Sequence, residues 1–372
     1  MSGLYVHIPF CASRCIYCGF YSTTQAALRQ RYVDAVCREM DLRQEEFDTL
    51  APIQTIYFGG GTPSQLSISQ LEQLFHSIAA TMKGQGDFAD MEITLEANPD
   101  DVTEEFARDL RRLPVNRVSL GAQTFNDARL QFIHRRHTSE QVGMAVERLR
   151  KAGIQNISID LMFGFPEETL SDWEKDVAAA ISLQTEHISA YALTYEEGTP
   201  LYRLQQAGKV QPLGEETLRA MYFLMKERLE AAGYEHYEIS NFARRRSQHN
   251  SGYWQARPYI GLGAAAHSYS GTTRSWNVSD LQQYITSIEQ GRRPHETETL
   301  DAPTRYNDLI VTALRTREGI PFALLDAKQQ QYLLQQAAPM IERGLLQATA
   351  DHLHLTAEGL FISDNIMVDL LL

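Results

Sequence analysis

The 372-residue sequence predicts an α/β fold: an open, partial (β/α)6 TIM-like barrel with a small C-terminal helical, winged-helix-like domain. Two observations predict it. Six short β-rich runs alternate with amphipathic helical patterns from residue 3 to about 195, which implies a parallel sheet with right-handed crossovers. From about Ala302 the pattern turns helical and closes with a strand pair, Leu345–Thr349 and His352–Leu355, and a last helix from Thr356. Six units are too few to close an eight-stranded barrel, so the sheet should curve without closing. We divide the chain into a core of 1–300 and a small domain of 301–372.

The first run, Leu4–Ile8, leads directly into Cys11, Cys15 and Cys18, spaced C-x3-C-x2-C. Thiolates this close suit a soft metal centre. A [4Fe–4S] cluster usually takes four cysteines, so three would leave one iron open to a small molecule. His7 with the three cysteines would instead make a Cys3His zinc site, and the spacing leaves that reading open. A disulfide scaffold fits poorly, since the chain has only 4 cysteines and no signal-peptide pattern. Cys37 lies in an amphipathic helical pattern and reads as a core thiol.

The later runs each end in polar or glycine residues. Thr55–Phe58 leads into Gly59, Gly60, Gly61 and Thr62. Glu92–Glu96 ends on Glu96, and Arg117–Leu120 leads to Gln123 and then Arg135. Ile157–Met162 carries Asp160, and His187–Leu193 carries Ala192. Each residue alone has an ordinary explanation as a turn, a cap or an ion pair. Together they fall at the carboxyl ends of successive strands, where such folds gather their chemistry. Thr138 with Gln141, and Ser171 with Glu174, read as capping boxes for two of the crossover helices.

Residues 196–300 are less regular, with a helix near Glu215–Ala232, the segment His249-Asn-Ser-Gly-Tyr-Trp254 and the Gly/Ala-rich Gly261–His267. An apolar fraction of 43% and a charged fraction of 22% are those of a soluble globular chain. No apolar run reaches the ~18 residues needed to span a bilayer, so any membrane contact would be peripheral. A reduced, cytoplasmic setting follows. A net charge of −13 argues against nucleic-acid binding. The basic stretches Arg135–His137 and Arg244–Arg246 are solvated loop charge or sites for carboxylates.

These motifs resemble those of the radical S-adenosylmethionine (SAM) proteins. The residues that carry the likeness are Tyr5-Val-His-Ile-Pro-Phe-Cys11, the cysteine loop, Gly59–Pro63 and Glu96, extended by Gln123, Asp160 and Gly261–Gly263. Nearly the whole chain is similar to the oxygen-independent coproporphyrinogen III oxidases, and within them to the heme-chaperone branch. The oxidases carry a further cysteine where this chain has Phe20, and a longer segment before the first cysteine. The segment from His249 to Trp254 fits the H-N-x-x-Y-W motif of the chaperones.

The resemblance implies that Cys11, Cys15 and Cys18 hold three irons of a [4Fe–4S] cluster while SAM chelates the fourth. It assigns Tyr5, Gly60, Gly61, Glu96 and Ala192 to SAM. It links Tyr17, Thr62, Gln123, Arg135 and Asp160 to SAM or to a second SAM. It makes His249 an axial heme ligand and leaves His267 without a role. The implied partners are heme and acceptor heme proteins such as respiratory-chain components, and a homodimer stays open. The chaperone branch implies heme transfer without coproporphyrinogen oxidase activity; the competing reading is oxidative decarboxylation of coproporphyrinogen III through a 5′-deoxyadenosyl radical.

Overall fold

A computed structural model describes residues 2–82 and 86–372. Six strands form the parallel part of the sheet in chain order: β1 (Ser2–Ile8), β2 (Ile53–Gly60), β3 (Glu92–Ala97), β4 (Arg117–Gln123), β5 (Asn156–Phe163) and β6 (His187–Ala192). Five coincide with the expected runs to within two residues at either end, and β4 runs three residues past its expected end at Leu120. Their side chains are buried almost without break, as in a parallel strand covered on both faces.

The sheet is wider than the barrel units alone. At one edge β7 (Glu235–Glu238) and β8 (Asn241–Ala243) form a hairpin, with β8 antiparallel to β6. At the other edge β9 (Tyr259–Leu262) pairs parallel to β1, then β10 (His267–Tyr269), β11 (Thr273–Asn277) and β12 (His295–Thr299) follow antiparallel. The resulting twelve-stranded sheet does not close; β12 and β7 are its two ends. The irregular stretch after residue 196 therefore supplies both edges.

The crossover helices start on the signals that local chemistry favours. Thr138 and Gln141 form the expected capping box. The box expected at Ser171 lies two residues earlier: Thr169 is the cap, Asp172 closes it, and Ser171 already belongs to the first turn of the helix Leu170–Ser182. A buried network fixes the β9 edge. Glu39, with none of its surface exposed, accepts from Arg43 Nη1 (2.9 Å), Tyr284 Oη (2.6 Å), Asn277 Nδ2 (2.8 Å) and the Gly263 amide (2.8 Å). Arg43 in turn donates to the Gly261 carbonyl (2.7 Å) and to Ser268 Oγ (3.1 Å).

The chain beyond Asp301 builds its own core from Tyr306, Ile310, Leu333, Leu346, Leu353 and Ile366. It carries a small sheet of β13 (Ile320–Pro321), β14 (Leu346–Ala348) and β15 (His352–Leu355) in the order β13-β15-β14. This unit is hydrogen-bonded to the β7 edge: the Ile239 amide donates to the Arg315 carbonyl (3.1 Å), and the Arg317 amide to the Tyr237 carbonyl (3.0 Å).

Candidate functional site

The strands deliver their carboxyl ends to one cavity of about 620 Å³, within the usual range for small-molecule sites. The loop after β1 crosses its rim. Backbone bonds tie the loop down, from the Cys11 amide to the Thr23 carbonyl (2.9 Å) and from the Leu201 amide to the Ile16 carbonyl (2.9 Å). Ile16 packs into a small apolar cluster with Ile133, Met162, Phe165, Leu193 and Leu201. Cys11, Cys15 and Cys18 all line the cavity as half-buried free thiols. Thr62 Oγ1 lies 3.5 Å from Cys11 Sγ, and Arg135 Nη1 lies 3.7 Å from Cys15 Sγ. Burial pushes the Cys11 and Cys18 thiols up, although Thr62 draws Cys11 back.

The donor set suits a cluster better than a single ion. His7 is unsuited to be a fourth zinc ligand: Nδ1 bonds to Tyr5 Oη (2.9 Å) and Nε2 to the Tyr21 carbonyl (3.3 Å). Three thiols spread over one loop can instead each meet a different iron.

The glycine run works by close packing. Gly60 has φ +111°, and a Cβ there would lie 2.3 Å from the His7 ring. A Cβ on Gly61 would meet the Pro9 and Ile8 backbone at 2.8 and 2.9 Å, where the Gly61 amide bonds to the Ile8 carbonyl. The run thus lets β2 press against the start of the cysteine loop.

Glu96 sits beside it. Its Oε1 accepts from Tyr57 Oη (2.7 Å) and its Oε2 from the Gly60 amide (3.1 Å). Burial lifts its pKa to about 7, against the pull of the Tyr57 hydroxyl and with Asp160 adding to the rise. Burial also raises Asp160, which Ser119 contacts at 3.4 Å. Gln123 ends β4 at φ +66°, after a register shift that follows Leu120. Arg135 Nη1 bonds to Asn98 Oδ1 (2.8 Å), and its Nη2 to the Gly121 carbonyl.

Of the residues singled out in the sequence, the cavity gathers the three cysteines, Tyr17, Gly60, Gly61, Thr62, Glu96, Gln123, Arg135, Asp160 and Ala192. Two stand apart. Tyr5 lies behind the wall, stacked on Tyr57 at 6.2 Å and bonded to His7. His249 lies outside the cavity, and only 3% of its surface is exposed. Its segment folds as a helix, Gln248–Trp254, capped by Ser247 Oγ and by Glu92, which accepts the Gln248 amide (2.9 Å). The imidazole bonds to Thr55 Oγ1 (2.8 Å) through Nδ1 and to Tyr253 Oη (2.8 Å) through Nε2, and stacks on Tyr57 at 5.0 Å. Both ring nitrogens are thus engaged within the protein in this conformation.

His267 is exposed and stacks on Trp276 at 5.9 Å. Of the basic stretches, Arg135, Arg136 and His137 line the cavity, whereas Arg246 pairs with Glu235 and Glu318. Tyr191 lines the cavity next to Ala192 on β6, as its place at the strand end implies; the rest of the far wall was not visible in the sequence: Tyr222, Ile239, Arg315, Leu360 and Phe361. Asn98 lines the cavity just past β3, two residues after Glu96, where the strand-end pattern puts it. The others come from distant segments and carry no local signal.

Known proteins resemble this chain along its whole length. Residues 5–180 match the radical SAM superfamily, and residues 300–362 match the HemN C-terminal domain. Heme chaperone HemW of Bacillus subtilis is 36% identical, with 98% of each chain covered. The HemW of Lactococcus lactis is 33% identical, with 99% of this chain and 97% of the relative covered. The chain belongs to the HemW heme-chaperone family of radical SAM proteins. A relative of HemW in Danio rerio, mitochondrial radical S-adenosyl methionine domain-containing protein 1, is 32% identical over 86% of this chain and 74% of its own. The solved structure of Escherichia coli coproporphyrinogen III oxidase (HemN) shares the fold, with a TM-score of 0.85 and 22% identity over 99% of this chain and 89% of that one. The superfamily implies SAM and a [4Fe–4S] cluster as cofactors of HemW proteins. Among the described residues no helix is long and apolar enough to cross a membrane.

Proposed function

We propose that the chain is a radical SAM-type heme chaperone of the cytoplasm. It binds heme and passes it to respiratory or other heme proteins, and it carries a [4Fe–4S] cluster and SAM. The observation that carries this reading is the cavity of about 620 Å³, which joins a three-thiol loop at one side to an apolar wall at the other in a chain of the HemW family.

In this proposal Cys11, Cys15 and Cys18 hold three irons, and the bound cluster and SAM supply a reducible centre with one exchangeable iron. The chain's own residues shape what surrounds it. Gly60, Gly61 and Thr62 set the distance between β2 and the cysteine loop. Glu96, poised near neutrality, accepts from or donates to the polar end of SAM. Tyr17, Gln123, Arg135, Asp160 and Ala192 complete the wall, with Arg135 Nη1 3.7 Å from Cys15 Sγ. Tyr5 acts through His7, which buttresses Gly60. Residues 1–300 provide this site, and residues 301–372 close its far side.

Parallel assays on anaerobically reconstituted protein test the reading. About four iron and four sulfide per chain are expected, by the nature of the cluster. Cys→Ala at position 11, 15 or 18 should abolish them, and Cys37→Ala should not. SAM should perturb the electron paramagnetic resonance spectrum of the reduced cluster. The chain should bind about one heme, deliver it to an apo-heme protein and leave coproporphyrinogen III unchanged; the size of the cavity, about 620 Å³, warrants that stoichiometry. Repeated turnover of coproporphyrinogen without heme binding would replace this proposal with the oxidase reading.

A further inference from the structure

We propose that Arg315 is the carboxylate anchor of the cavity, and that the His249–Trp254 segment serves the bound macrocycle through Arg315. This rests on the heme-binding reading above. The segment points its aromatic residues two ways. His249 and Tyr253 bond to each other and pack inward, with Tyr253 edge-on to Tyr259 at 4.7 Å. Trp254 turns toward the C-terminal unit, where the Arg315 guanidinium lies 5.1 Å from its ring centroid. Of these three side chains, Trp254 alone contacts a residue that lines the cavity.

Arg315 is held in place on two sides. The Trp254 face supports the guanidinium, an arrangement favoured by the ring quadrupole. Its Nε and Nη2 both reach Glu238 Oε1 at 2.9 Å. Glu238 is 2% exposed and is itself fixed through Oε2 by the Ser240 amide (3.1 Å) and by Asn241 Nδ2. That leaves Nη1 without a protein partner among the described residues, on a side chain that is 25% exposed and belongs to a residue lining the cavity. A guanidinium carries five N–H donors, so one carboxylate does not exhaust it.

The surroundings fit a planar apolar ligand with an acidic edge. Tyr191, 44% exposed, and Tyr222, Ile239, Leu360 and Phe361 line the same cavity. Two other cavity arginines are already engaged: Arg135 with Asn98 and the Gly121 carbonyl, and Arg136 with Asp100 and Asp101. Arg14 stands on the exposed cysteine loop, close to the proposed cluster. Asp364 also lines the cavity and would repel a carboxylate, so an anchor at Arg315 has a definite place to hold it. Arg315 thus suits a porphyrin propionate, bonded edge-on while the ring lies on the apolar wall.

The test is an equilibrium titration of the full-length chain with hemin and with hemin dimethyl ester, whose propionates are blocked, followed at the Soret band. Arg315→Gln should weaken hemin binding about tenfold, the loss expected for one charged hydrogen bond, and change ester binding by no more than about twofold. Trp254→Ala should show the same selective loss because Arg315 loses its seat. The double variant should be no worse than either single one, as for residues acting as a unit. Unchanged hemin affinity in Arg315→Gln, or equal losses for both ligands, would overturn the anchor. If the unaltered chain binds neither ligand, the heme-binding reading fails and the anchor with it.

Discussion

Burial holds the His249 imidazole neutral, with its pKa lowered from 6.5 to about 3 and Arg117 adding to the effect. In the unfolded chain the same group takes up a proton near its ordinary value. Below that value the unfolded state therefore binds a proton that the folded state cannot, and stability falls with pH. His249→Gln removes this penalty. The stability advantage of the histidine form should be greatest above pH 7 and shrink by up to about 1.4 kcal/mol per pH unit as pH falls from 6.5 to about 3. Urea denaturation of both forms at pH 7.5 and 5.5 checks it; an equal gap at both would show that the imidazole is not buried and neutral. Gly61 offers a second test at this scale. Gly61→Val places a branched side chain against the Pro9 and Ile8 backbone, so it should cost roughly 1–3 kcal/mol and shift the loop that carries Cys11. Lower iron content and a weaker SAM effect on the cluster spectrum should appear together.

At the scale of elements, one buried carboxylate fastens four pieces of chain. Glu39 binds Arg43 on its own helix, the Gly263 amide beyond β9, Asn277 at the end of β11 and Tyr284 on the helix Leu281–Glu289. Glu39→Ala would leave the buried Arg43 with a weakened set of partners and should destabilise by about 3–5 kcal/mol, the usual result of breaking a buried pair. Chemical denaturation measures this loss, and an effect under 1 kcal/mol would show that solvent reaches the network. The capping boxes show how far local chemistry reads. Thr138 and Gln141 form the box the spacing offers, although Ser139 stands beside them. At the next crossover helix, Thr169 and Ser171 both fit a cap, and backbone geometry chose Thr169.

For the whole molecule, the cavity has two walls of different chemistry held by different parts of the chain. The barrel strands and cysteine loop form the polar wall; the β7–β8 edge and the C-terminal unit form the apolar one. Perturbing one wall should spare the other. Phe361→Ala should weaken heme binding by roughly 1–3 kcal/mol, the worth of one aromatic contact surface, while the SAM-induced spectral change persists. A loss of both responses would mean that the C-terminal unit also shapes the cluster end. Phe20, 72% exposed, lines the same cavity beside the cysteine loop.

The amino-acid sequence by itself determined the six parallel strands, the cysteine spacing and the residues at their carboxyl ends. Those features are local: a run of apolar residues, a glycine turn or a thiol spacing acts within a few positions. Only the tertiary structure decided that β9 pairs with β1, that Tyr5 lies behind the cavity, and that His249 is spent on Thr55 and Tyr253. It alone brought Arg315 across to Trp254 and Glu238. These contacts join segments far apart in the chain, and their energy comes from burial and from satisfying polar groups once the sheet has formed. A motif names the side chains available, and packing sets which of their atoms remain free to bind.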